Sequence, residues 1–139
     1  MRSQSGFTLT EVLAAATALA MLAALAVPRQ ALMASDSRKQ AVRMLALNVE
    51  TSLSTTHRVW RATGRPERLE LDGRQVEMRF GYPTESAVGA VVLAGGAFRF
   101  ADGYWKHRES RPGQACAVLY IPPPNPDAEP VVFGYTEGC

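Results

Sequence analysis

The sequence predicts an α+β fold: a long N-terminal helix packed on a C-terminal antiparallel β-sheet head. Three observations predict it. Residues 7–27 form an apolar run with a single charge, Glu11. From Val42 to Trp60 the apolar side chains recur at steps of three and four, the spacing of one helical face. Beyond Gly64 and Pro66, short apolar or alternating runs are separated by glycine- and proline-containing turns, the signature of short strands.

The apolar run, flanked by Arg2 and Arg29, has the length of a membrane span. About twenty residues rising 1.5 Å each cross a hydrocarbon core of about 30 Å. Glu11 is out of place there, because a charge at the centre of a spanning helix costs roughly 2.5–3.5 kcal/mol even on lenient insertion scales. Ala16, Ala20 and Ala24 recur every fourth residue, a spacing that lets helix backbones approach closely. Two readings leave Glu11 unexplained. One is a secretory signal peptide with Ala24-Leu25-Ala26 as its cleavage site, releasing a soluble binding module. The other is an ordinary signal anchor.

The second half of the helix is amphipathic. Val42, Leu45, Val49, Leu53, Thr56 and Trp60 form one stripe, and Arg43, Asn48, Glu50, Ser54 and Arg58 lie on the other side. His57 falls on that polar side and reads as a solvated histidine. Gly64 and Pro66 end the element. Helical throughout, Phe7 to Trp60 measures about 80 Å. Its first half requires lipid or other helices, its second a domain along one face.

In the head, Leu69–Leu71 and Gln75–Phe80 flank Asp72-Gly73, a strong hairpin signal. Ala90–Leu93 and Ala97–Ala101 flank Gly95-Gly96, and Asp102-Gly103 marks a further turn. Ala117–Ile121 and Val131–Tyr135 are separated by a proline-rich loop. Four or more strands are expected, laid on the amphipathic half of the helix.

Composition narrows the function. Beyond His57 there are ten Arg or Lys and ten Asp or Glu, so this part is neutral and gives no strong nucleic-acid signal. Two cysteines, Cys116 and Cys139, and two histidines, His57 and His107, lack the paired spacing of a structural zinc site. The cysteines form one disulfide in an exported protein and stay free thiols in the cytosol. No nucleophile elbow, P-loop, zinc-protease or dinucleotide motif is present, so neither an enzyme nor a cofactor is expected. The aromatic and basic stretch Tyr104-Trp105-Lys106-His107-Arg108 reads as a strand or turn with ordinary surface charges. Asp127 and Glu129, among prolines, are weak support for calcium.

Gly6-Phe7-Thr8-Leu9-Thr10-Glu11, followed by the uninterrupted apolar run, closely resembles the processing site of type IV prepilins and pseudopilins. The resemblance implies that a prepilin peptidase cuts between Gly6 and Phe7, removing residues 1–6 as a leader, and N-methylates Phe7. It implies that Glu11 answers the charged amine of Phe7 on a neighbouring subunit during assembly. Pro28 stands where many type IV pilins bend or melt the helix locally. Thr10 departs from the family, which usually has an aliphatic residue there. The implied organisation is a leader at 1–6, a transmembrane or filament-core helix at 7–28, an amphipathic helix half at 29–62 and a head at 63–139. The implied partners are copies of the chain in a helical filament, the prepilin peptidase, an inner-membrane assembly platform and membrane lipid before assembly. The implied location is the bacterial inner membrane, then an extracellular pilus or a periplasmic pseudopilus. The family's C-terminal loop is often closed by a disulfide, which here implies Cys116–Cys139. Gly81-Tyr82-Pro83 and the ending after Cys116 are similar to the mannose-sensitive haemagglutinin branch of these pilins.

Overall fold

The computed structural model describes residues 8–110 and 112–139, with 23–31 described by backbone alone. It divides into two compact units, Met1–Asp36 and Ser37–Cys139. One helix, α1 (Leu9–Ala62), contributes to both.

In the first unit every described leucine, valine and methionine is exposed, from Leu9, Val12 and Leu13 to Leu32 and Met33. Among the described residues this stretch has no buried face, and an apolar helix without one draws its stability from its surroundings.

In the second unit the same helix becomes one-sided. Val42, Leu45, Val49, Leu53 and Thr56 are buried in a single stripe, while Arg43, Glu50, Ser54 and Arg58 are exposed. Its apolar members, Val42, Leu45, Val49 and Leu53, pack with Val88, Val92, Phe98, Trp105, Cys116, Val118 and Tyr120 to make the main core. A smaller cluster of Leu69, Val76 and Met78 packs with Val59 and Trp60 from the last helical turns.

The strands form two antiparallel sheets rather than one. The smaller contains β1 (Arg68–Leu71), β2 (Arg74–Arg79) and β3 (Tyr82–Pro83), in that order. The larger is a meander of β4 (Phe98–Ala101), β5 (Tyr104–His107), β6 (Ala117–Ile121) and β7 (Val131–Tyr135). Asp72-Gly73 joins β1 to β2, and Asp102-Gly103 joins β4 to β5. All four turn residues have positive φ, between 42° and 76°. Such two-residue turns match the twist of the flanking strands, and Asp-Gly tolerates their left-handed backbone.

Two further expectations need correction. Ala90–Leu93 is not a strand: a 3₁₀ turn occupies Val88–Ala90, and residues 91–95 cross without pairing. Val88 and Val92 are buried as plugs in the main core. A short apolar run signals burial without specifying a ladder, which is why periodicity misreads it. Nor is His57 solvated. It is half-buried, stacked on Tyr82 with ring centroids 4.6 Å apart, and its Nδ1–H donates to the Gly81 carbonyl at 2.9 Å.

That contact explains the Gly81-Tyr82-Pro83 turn. A Cβ on Gly81 would lie 2.7 Å from Trp60 Cζ3 and 2.8 Å from the His57 ring, and the residue has φ of 88°. Only glycine lets the backbone approach the helix so closely in that conformation. The turn then presents the Pro83 carbonyl to the Tyr120 hydroxyl, which donates a 2.7 Å bond to it. Burial, with smaller contributions from Tyr82 and Glu85, pushes the Tyr120 phenol well above the ordinary tyrosine range.

Candidate functional site

The start of α1 is built by a reciprocal cap. Thr8 precedes the first helical residue, and its hydroxyl oxygen accepts from the Glu11 backbone N–H at 3.4 Å. The Glu11 carboxylate reaches back and accepts from the Thr8 backbone N–H at 2.8 Å. The Thr8 hydroxyl also donates to that same carboxylate oxygen, Oε2, at 2.8 Å. Threonine followed three residues later by glutamate is a capping box, which satisfies amide groups that the first turn cannot. Sequence reasoning noticed Glu11 but missed this local role, although the Thr-x-x-Glu spacing is legible.

Both Thr8 bonds fall on Oε2, so the other carboxylate oxygen makes no hydrogen bond among the described residues. Around it, Val12, Ala15, Ala16 and Leu19 line a shallow apolar hollow on one helix face. The other polar groups of this stretch are answered locally. Thr17 donates to the carbonyls of Leu13 and Ala14 at 3.1 and 2.9 Å, and the hydroxyls of Thr10 and Thr8 lie 3.1 Å apart. Glu11 is thus a carboxylate with bonding capacity to spare, set in an apolar face.

Gly6 and Phe7 lie outside the described residues, and Pro28 lies in the backbone-only stretch of α1. Among the described residues no helix is long and apolar enough to cross a membrane. Of the apolar run, Phe7 lies outside the described residues and 23–27 are described by backbone alone.

In the second unit the remaining pair of expected residues comes together. Cys116 and Cys139 form a disulfide. It closes the loop that carries β6 and β7, and Cys116 is fully buried in the main core. Arg38 secures the same corner: its Nε–H donates to the Cys139 carbonyl at 2.7 Å, and it lies 3.7 Å from the Glu109 carboxylate. The end of the loop is therefore held by a covalent bond on one side and a guanidinium on the other.

Residues 1–27 match the model of the prokaryotic N-terminal methylation motif. The matched stretch contains Gly6, Phe7 and Glu11. It supports a subunit of the type IV pilin or pseudopilin kind. No curated protein and no solved structure matches the chain.

One groove in the second unit was not foreseen. Glu50, Leu53, His57 and Arg58 from α1 face Tyr82, Glu129, Pro130 and Val132 across a cleft of about 420 Å³. Burial, with a smaller contribution from the Glu129 charge, pushes the Tyr82 phenol above the ordinary tyrosine range.

Proposed function

We propose that the chain is the structural subunit of a type IV pilus. It is made as a prepilin, cut after Gly6 and methylated at Phe7 by a prepilin peptidase, and polymerised through its N-terminal helix into an extracellular filament. The observation that carries this reading is the capped Glu11 on a stretch of α1 whose described leucine, valine and methionine side chains, from Leu9 to Met33, are all exposed. In lipid, one oxygen is already satisfied by Thr8. The other offers a bond to the amine of Phe7 on a neighbouring copy, and the opposite charge offsets the cost of burying the carboxylate. The pairing sets the register, and the apolar faces then exchange lipid for the helices of other copies.

The disulfide-closed loop favours a pilin over a pseudopilin or minor pilin, which share the same N-terminal motif. The Gly81-Tyr82-Pro83 turn and the closing Cys139 favour the mannose-sensitive haemagglutinin branch. Pro28, inside α1, is the position at which we place a local bend. Adhesion, surface motility or DNA uptake would be the filament's work.

Two substitutions test the role of Glu11. Glu11→Ala removes both charge and cap; Glu11→Gln removes the charge but keeps a side chain able to form the capping box. Both variants are expected to be cleaved and membrane-inserted, with filament yield at least tenfold below that of the unsubstituted chain. Filaments sheared from cells and quantified by immunoblot provide the readout. Normal yield from Glu11→Gln would remove the charge-pairing role and leave only the cap.

A further inference from the structure

The larger sheet carries a charge arrangement that its own fold does not explain. Arg99 on β4 and Lys106 on β5 stand directly opposite each other in register. They share the face turned away from the core, since Trp105 and His107, their alternates on β5, are buried. Like charges directly opposite across a strand pair are destabilising. Among the described residues neither Arg99 nor Lys106 has an acidic partner.

A complementary surface lies at the far side of the same sheet. The strand order β4-β5-β6-β7 puts β4 and β7 at opposite edges. Just before β7, Glu129 faces Glu50 of α1 across the groove that Tyr82 and Pro130 also line. Arg58 is the one cation there, so the groove carries a net charge of −1 from two carboxylates and one guanidinium. The basic pair at one edge and the acidic groove at the other cannot meet within one copy.

We infer that the Arg99–Lys106 edge of one copy docks into the Glu50–Glu129 groove of a second copy. The inference rests on the filament reading and adds a head-to-head contact to it. Because the two surfaces differ, the contact is heterologous, and it passes from one head to the next without closing. Electrostatic complementarity of this kind sets register and orientation more than raw affinity. The apparently wasteful like-charged pair then has a use, since each cation gains an acidic partner on assembly.

The test separates folding from assembly. Arg99→Glu turns a like-charged cross-strand pair into an opposite one, so the melting temperature of the full chain in detergent is expected to stay the same or rise. Filament yield from cells is expected to fall at least tenfold. Glu129→Lys alone is expected to lower yield similarly, and the two substitutions in one chain to restore at least half of the original yield. Unchanged yield from Arg99→Glu, or no rescue in the double variant, overturns the docking inference and leaves the filament reading standing. Absence of filaments from the unsubstituted chain overturns both.

Discussion

Replacing Cys116 and Cys139 together by alanine is expected to lower the unfolding midpoint of the head by about 12–30 °C. The disulfide joins residues 23 positions apart, and by the chain-entropy account a loop of this size is worth roughly 3–4 kcal/mol. For a domain of about 100 residues, each kcal/mol moves the midpoint by about 4–8 °C. Alanine at 116 is preferable to serine, because Cys116 is fully buried among apolar side chains and a hydroxyl there would add its own desolvation cost. The Arg38 bond to the Cys139 carbonyl uses the backbone and survives the substitution in principle. Untied, though, the end of the loop loses the geometry that makes the bond. Thermal melting of the full chain in detergent micelles, oxidised against double variant, gives the number. A shift below 5 °C would mean that the packing of β6 and β7 holds the loop without the crosslink.

Trp105→Ala is expected to destabilise the head by roughly 3–5 kcal/mol, the usual cost of emptying a buried aromatic site. Trp105 is 1% exposed. Its ring centroid lies 5.0 Å from that of Phe100, and it pairs in register with Phe100 on β4 and Val118 on β6. It belongs to the same core as Val42, Leu45, Val49 and Leu53 of α1, so its loss opens the interface between helix and sheet. Trp105→Phe should recover more than half of that loss by refilling much of the volume. Chemical denaturation of the same micellar protein measures both. An alanine variant within 1 kcal/mol of the original would place the stability elsewhere, in the smaller sheet and its cluster.

Much of the fold was legible because its signals are local. The three-and-four spacing from Val42 to Thr56 marks the residues that the structure buries, since helical period alone determines which side chains share a face. Asp72-Gly73 and Asp102-Gly103 announce hairpins, because their left-handed backbone admits few residue types. Strands β6 and β7 match the apolar runs 117–121 and 131–135 to the residue. What stayed hidden depends on tertiary neighbours. His57 lies among exposed helix positions, and only the return of the Gly81 turn against it makes a pocket for the ring. Ala90–Leu93 has strand-like composition but no neighbouring strand to pair with.

At the candidate site the balance differs. Glu11 attracted notice as an expensive charge, and the cap from Thr8 was equally local but was overshadowed by it. The partner proposed for Glu11 belongs to another copy, so no reading of one chain could place it.

The central claim is that the chain is cut after Gly6 and assembles through the helix that follows. The most direct test is the mass and N-terminal sequence of the mature protein purified from its native host. The account predicts a chain beginning at N-methylated Phe7, with a mass lower by the two hydrogens of the Cys116–Cys139 bond. A chain beginning at Val27 would mean release by signal peptidase, and the filament reading would have to be abandoned.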